Sequence, residues 1–308
     1  MNSLKAARIH NFGGPEVIVI EDVPVPVPAS GEVLVRVAAA GVGPWDALIR
    51  EGKSKVSPPP PLTLGSDLSC VIEAVGLGVT EFKNGDGIYG VTNPQFYGAN
   101  AEYAIAFANM IALKPLGITQ IEAASVPVVA VTAWQMLFDY AHAERGQTVM
   151  ILGAAGNVGA YAVQLAARAG LHVIAVVTEK EIDYVRSLGA EIALDSQIGT
   201  FGDSVPPFDL LIDTVGGEIR KRSLPALKPG GVLVSVVSTD ALPSRPDVRT
   251  VFFYVEVTTE RLNTISKLFD SAELQPKVGS VLPLKEVRTA HEMLAGAPHK
   301  RGKIVLRV

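Results

Sequence analysis

The sequence predicts an α/β protein in two parts, a β-rich first third and a doubly wound parallel sheet after it. Three observations carry this prediction. Short β-branched runs punctuated by Gly and Pro fill the chain up to about Ile121. Beyond that point continuous apolar strands alternate with helical stretches, the pattern of a parallel sheet covered on both faces. Between Thr148 and Gly159 a strand runs into a glycine turn and the turn into a helix. At 308 residues the chain has room for about two domains.

In the first part, strands are expected at 4–10, 17–20, 32–38 and 70–75, with 84–87 a turn entering a strand over 88–91. Residues 23–28 alternate Val and Pro and must run extended, because each ring fixes its own φ and disfavours helix in the residue before it. Prolines 58–61 mark a loop leading into Leu64-Gly65-Ser66-Asp67. In the second part a helix over 130–141 precedes the strand Thr148–Leu152, and the helix after it carries Val158, Ala162, Val163, Leu165 and Ala166. Strand 173–177, helix 182–188, strands 192–194 and 209–213, helix 218–227 and strands 232–237 and 251–255 follow. A helix over 260–269, a strand over 278–282, a helix over 285–294 and the strand Lys303–Arg307 close the chain.

Composition excludes several classes of function. With 48% hydrophobic and 19% charged residues the chain is no disordered segment. A single cysteine, Cys70, excludes a disulfide framework and any multi-cysteine zinc site, and within an apolar strand it reads as a core residue. A net charge of −4 with no basic block argues against nucleic acid as a partner. The long uncharged stretch 146–167 is broken by Gly153, Gly156 and Gly159 and carries Gln147, Asn157 and Gln164, so it reads as strand, turn and helix and not as a membrane span. No signal-peptide core follows Met1, and a cytoplasmic location without a membrane partner is expected.

The turn carries the chemistry. Gly156 would let a backbone approach a pyrophosphate and Gly159 would let helix and strand pack closely, which together with Gly153, Ala155, Asn157 and Val158 makes a dinucleotide site. The first-turn N–H groups and the helix dipole would face the phosphates. Ala154 stands where such patterns usually place their first glycine. At the end of the next strand Val177 occupies the position where NAD sites place an acid for the ribose 2′-OH. Without that acid a 2′-phosphate meets no repulsion there, and Thr178 and Lys180 offer a hydroxyl and an ammonium, so NADPH is the expected cofactor. Glu179 argues the other way unless it points to solvent.

Further motifs follow one another in order: 31–37, 41–46, Leu64-Gly65-Ser66-Asp67, Ala101-Glu102-Tyr103, Thr132-Ala133-Trp134, Asp213-Thr214-Val215-Gly216-Gly217, Lys228-Pro229-Gly230-Gly231 and Arg301-Gly302-Lys303. Together they resemble the medium-chain dehydrogenase/reductase superfamily and, within it, the zinc-free quinone oxidoreductases related to zeta-crystallin, over essentially the whole chain. The resemblance implies a GroES-like β domain over 1–122 and 256–308, a Rossmann domain over 123–255 and an active site in the cleft between them. It also implies that Thr132 lies near the nicotinamide, that the backbone of Phe253, Tyr254 and Val255 meets the carboxamide, and that Ser196 stands near the adenine phosphate end, where relatives often carry tyrosine. Val215, Ser235 and Ser238 join these as cofactor-binding candidates at strand ends.

Zinc-dependent relatives carry a metal-binding Cys within the segment matching 41–46 and a His-Glu pair where Ser66-Asp67 stands. This chain lacks both, so no metal is expected. Without Lewis-acid help, worth several kcal/mol, the acceptor should already be electron-poor. The leading expectation is hydride transfer from NADPH to a quinone or another carbonyl-conjugated acceptor. The alternatives are an enone or enal reductase and a nucleotide-binding, crystallin-like protein with little catalysis. Relatives often carry Asn at the position of Gly43 and sometimes Tyr at that of Leu48. Both are missing, which leaves Asp46, Tyr97 and Tyr254 as weak catalytic candidates, with Asp46 more suited to orienting backbone or Arg50. Tyr89 and Asn93 are lesser candidates. The apolar run 251–255 would suit an exposed sheet edge through which a homodimer pairs.

Overall fold

The computed structural model describes residues 3–197, 201, 205–237 and 245–308. In chain order the elements begin with strands β1 (Ser3–Ile9), β2 (Ile18–Pro24) and β3 (Glu32–Val42), helix α1 (Pro44–Arg50), and strands β4 (Leu62–Thr63), β5 (Asp67–Val75), β6 (Gly87–Val91), β7 (Tyr103–Phe107) and β8 (Ile111–Leu113). Helices α2 (Gln120–Ala124) and α3 (Pro127–Trp134) lead to β9 (Thr148–Leu152), α4 (Asn157–Arg168), β10 (His172–Val177), α5 (Ile182–Ser187), β11 (Ile192–Asp195), β12 (Phe208–Asp213), α6 (Gly217–Ser223), β13 (Leu227–Ser235) and β14 (Arg249–Phe252). The chain ends with α7 (Thr259–Asp270), β15 (Val278–Pro283), α8 (Val287–Leu294) and β16 (Lys303–Arg307).

Two units result, Met1–Val128 with Glu256–Val308, and Val129–Val255. The first is the GroES-like β unit. Its larger sheet runs β15-β16-β3-β5-β6-β8, with β7 on β3, beside a smaller sheet β2-β1-β4. β3 extends past the expected 32–38 because its apolar tail Ala39–Val42 pairs with both β5 and the returning β16. β2 stops at Pro24, where the alternating prolines leave a ladder without amide donors. α2 belongs to this unit because it packs on β3 and β5. The apolar faces close over Val33, Val35, Leu64, Leu68, Cys70, Ile72 and Ile88, all buried.

The second unit is a six-stranded parallel sheet in the order β11-β10-β9-β12-β13-β14. Its strands are continuous apolar runs because both faces are covered; Val149, Met150, Ile151 and Leu152 are all fully buried. The order reverses between β9 and β12, so the carboxyl ends of these strands form the topological switch point where open α/β sheets bind ligands. Several expected boundaries move. The helix predicted over 218–227 ends at Ser223, because Pro225 turns the chain into β13 at Leu227, five residues earlier than expected. The helix predicted over 130–141 starts at Pro127 and continues past Trp134 as a π-helical stretch to Tyr140. β14 ends at Phe252 and not at Val255.

Polar groups buried in the first unit act as fasteners. The Tyr89 hydroxyl, read from sequence as a candidate for carbonyl binding, donates to the Leu262 carbonyl at 2.7 Å and accepts from Ser266 at 3.0 Å, tying β6 to α7. Burial pushes its pKa above the ordinary phenol value. Tyr89→Phe leaves the Leu262 carbonyl and Ser266 without this partner, so stability should fall by about 1–2 kcal/mol. A urea titration reads this as a lower midpoint at unchanged slope; an unchanged midpoint would contradict it.

Candidate coenzyme site and buried charge cluster

The glycine turn is built by close approach. Gly153, with φ +71°, follows β9, and its amide and that of Ala154 donate to the Val176 carbonyl at 3.1 and 3.3 Å, tying the turn to β10. A Cβ on Gly159 would lie 2.2 Å from the Gly153 carbonyl oxygen and 2.7 Å from the Ala154 Cα, so only glycine lets α4 pack onto the turn. Ala154 is not left-handed, which is why alanine is tolerated where relatives place glycine. Gly156 caps α4 without a side-chain hydrogen bond. A Cβ there would meet only the Gly153 carbonyl, at 3.2 Å. A helix start without a side-chain cap, behind a turn of only glycine and alanine, fits the pyrophosphate of a dinucleotide. Ala155 is buried in this turn, and Asn157 and Val158 are half-buried at its helical end.

Opposite the turn, the residues after β12 lie against Gly153, since a Cβ there would sit 2.6 Å from Thr214 Oγ1 and 2.7 Å from Val215 Cγ2. Val215 is half exposed beside the turn. At the end of β10, Val177 is buried with no carboxylate in its place. The Thr178 hydroxyl donates to the Glu181 carboxylate at 2.7 Å, so it serves a helical cap. Lys180 is exposed on that same turn, as is Glu179. The Ser196 amide donates to the Val177 carbonyl at 2.6 Å, and the Ser196 carbonyl accepts from Arg222 at 2.9 Å. Arg222, whose guanidinium lies 5.7 Å from the centre of the Phe201 ring, was invisible to sequence reading because no spacing rule joins α6 to the end of β11.

Other expected residues fall elsewhere. Thr132 is buried on α3. The Ser235 hydroxyl donates to Asp213 at 2.8 Å, which commits it to an internal bond. Phe253 is buried with its ring 4.2 Å from that of Tyr140, Val255 is half-buried, and Tyr254 is exposed with its ring edge-on to Phe252. Ser238 lies outside the described residues. Tyr97 is half-buried against the core of the first unit, where its carbonyl accepts from Thr92 and Asn93.

The first unit also holds a buried charge cluster. Asp46 Oδ2 accepts from the Gly43 amide at 2.7 Å, closing the start of α1, while its Oδ1 has no hydrogen-bond partner. Arg50 does not engage Asp46; it donates to the Gly13 carbonyl, to Glu51 and to His291 Nδ1, so His291 is neutral with its proton on Nε2. Asp67 accepts from the Val128 amide and lies 2.9 Å from the Lys303 ammonium, close in distance though not aligned as a hydrogen bond. That ammonium sits 3.9 Å from the centre of the Trp45 ring, and the Trp45 indole donates to Ser66. Burial raises the pKa of both carboxyls, that of Asp46 to about 7, against the pull of the Gly43 amide and Lys303 on Asp46 and of Lys303 on Asp67. As a metal site the donor set fits poorly: an ammonium already sits against Asp67, and Cys70 is buried with its thiol pKa pushed up. Among the described residues no group of three or more His, Cys, Asp and Glu gathers.

An α/β chain with a strand–glycine–helix turn at its switch point defines a dinucleotide-type oxidoreductase architecture, and comparison with known proteins bears on its family. The alcohol dehydrogenase GroES-like domain family matches residues 29–116, and the zinc-binding dehydrogenase family matches residues 188–306. Human quinone oxidoreductase is 30% identical, with 98% of this chain and 97% of that protein covered. The solved quinone oxidoreductase of Coxiella burnetii superposes with a TM-score of 0.91 at 30% identity, covering 99% of each chain. A cobalt- and zinc-bound thermostable alcohol dehydrogenase from Pyrobaculum aerophilum gives 0.89 at 28% identity, over 99% of this chain and 100% of that one. The chain belongs to the quinone oxidoreductase-like medium-chain dehydrogenase/reductase family, and it is an oxidoreductase. That family implies a nicotinamide cofactor and a small-molecule substrate. Among the described residues no helix is long and apolar enough to cross a membrane.

The Asp46 carboxyl gives a signed pH effect. Its folded pKa, about 7, lies above the ordinary aspartate value of 3.8, so the folded state binds the extra proton between these values. The stability this contributes is present below about pH 4 and is lost as pH rises through about 7. Asp46→Asn should remove that dependence, so the variant's melting temperature should gain on the wild type as pH rises from 4 to 7.5. A difference independent of pH would contradict the assignment.

Proposed function

We propose that the protein transfers hydride from NADPH to a quinone or another acceptor whose double bond is conjugated to a carbonyl, without zinc. The observation that carries this reading is the glycine and alanine turn at the switch point followed, one strand on, by Val177 in place of a carboxylate. Reduced nicotinamide, when bound, supplies the hydride. The α4 N-terminus holds phosphate, and the Val177 end, with Lys180 nearby in sequence, accepts a 2′-phosphate that an acid would repel. On the acceptor side the chain offers no thiolate–imidazole set at the positions that hold zinc in relatives, and Lys303 neutralises Asp67. An electron-poor acceptor needs no Lewis acid, which favours quinones and enones over simple alcohols and ketones. We further propose a homodimer formed at β14, which among the described residues pairs with β13 alone and presents Phe252 and Tyr254 beside it.

NADPH should bind more tightly than NADH in calorimetry. Lys180→Ala should weaken NADPH by about tenfold, the worth of one charged hydrogen bond, and leave NADH unchanged. Steady-state assays should show NADPH oxidation with quinones or enones, and their products separate the two: a hydroquinone for one, a saturated ketone for the other. Equal affinity for both nucleotides, or no turnover across such a panel, would overturn the corresponding half.

A further inference from the structure

The buried Asp213, part of the Asp213–Gly217 motif but not itself expected to bind coenzyme, gathers four hydrogen bonds on its carboxylate. Its Oδ1 accepts from the amides of Val215 at 3.0 Å and Gly216 at 2.7 Å. Its Oδ2 accepts from the Ser235 hydroxyl at 2.8 Å and from Arg220 at 3.3 Å. Asp213 is fully buried and Arg220 nearly so. One carboxylate thus joins the ends of β12 and β13, the first turn of α6 and the loop between β12 and α6. Thr214, in the same loop, donates to the Leu152 carbonyl at 2.7 Å, which ties the loop to the last residue of β9.

These bonds converge on a function. The loop they hold presents Thr214 and Val215 against Gly153, so tightly that a Cβ there would overlap both. Val215 itself is half exposed beside the glycine turn. A loop of this length with Gly216 at φ +75° and Gly217 at φ +62° has two residues of broad backbone freedom, and nothing in its own sequence would keep Val215 at the rim. The side-chain bonds to Asp213 and Leu152 supply that restraint.

We propose that Asp213 is the positioning residue of the coenzyme site, holding the 214–216 loop as the second wall of the cradle that Gly153 and α4 begin. Asp213 acts through the loop backbone and does not touch coenzyme. The Ser235 hydroxyl is part of the same device: it orients Asp213 and serves the coenzyme only indirectly. Arg220 balances the buried charge, which a lone carboxylate at full burial would make costly. This inference rests on the reading that a dinucleotide binds at the turn.

Two variants test it. Asp213→Asn keeps an oxygen for the two amides but removes the charge opposite Arg220; Thr214→Val removes only the bond to Leu152 at nearly constant shape. NADPH binding measured by calorimetry should weaken about tenfold in the first and severalfold in the second, with kcat at saturating coenzyme within about twofold of wild type. Hydrogen exchange of the Val215 and Gly216 amides should rise in Asp213→Asn, and the melting temperature of Thr214→Val should stay close to wild type. Should Asp213→Asn fail to fold, Thr214→Val decides. Unchanged NADPH affinity in every variant that folds would overturn the inference, whereas a wild type that binds no nucleotide would overturn the underlying reading instead.

Discussion

One constraint organises the second unit: α4 must start within van der Waals contact of the turn that leaves β9. Gly159 has no room for a single methyl against the Gly153 carbonyl, and Gly153 has none against Thr214 and Val215. The consequence is a helix N-terminus brought to the carboxyl edge of the sheet and capped by a glycine, with no side-chain bond to its first amides. Backbone amides and a helix dipole are weak individually, but held in place they need no reorganisation to meet an anion. The rest of the unit serves this arrangement, with apolar strands fixing the sheet beneath the turn and the Asp213 bonds fixing the loop beside it.

The two units solve the problem of buried charge differently. In the second, Asp213 and Arg220 are both desolvated but share their hydrogen bonds with amides and a hydroxyl, so little is left unpaired on the carboxylate. In the first, Asp46 keeps an orphaned oxygen and shares its neighbourhood with Asp67 and one ammonium. Burial is the main cause of the raised Asp46 pKa, and the nearby Asp67 carboxyl adds to it against the pull of the Gly43 amide and Lys303. His291 goes the other way: burial and the adjacent Arg50 push it down to about 3, so it stays neutral and accepts from the guanidinium.

Most of the architecture was legible in the chain because it is written in local patterns. Uninterrupted apolar runs gave the parallel strands, and Thr148–Leu152 and Lys303–Arg307 fall where sequence places them. Boundaries drifted where tertiary pairing overrode local signals, as when β16 drew β3 out to Val42 and β13 began at Leu227 through its pairing with β12. The glycine turn was legible because each glycine answers a steric demand of its own neighbourhood. Hydroxyl roles were not: Thr178 and Ser235 stand at the right strand ends, but whether a hydroxyl meets a ligand or a neighbour depends on residues such as Glu181 and Asp213 that only the fold brings near. Arg222 and the Asp46–Asp67–Lys303 cluster escaped for the same reason, since their partners come from distant segments.

The central claim is that the glycine-capped start of α4 is where phosphate docks. A crystal structure of the protein with NADPH tests it most directly. The account predicts the pyrophosphate over Gly156, within hydrogen-bond distance of the amides of Asn157, Val158 or Gly159. Ordered coenzyme with its phosphates anywhere else on the chain, and that turn left to solvent, would contradict it.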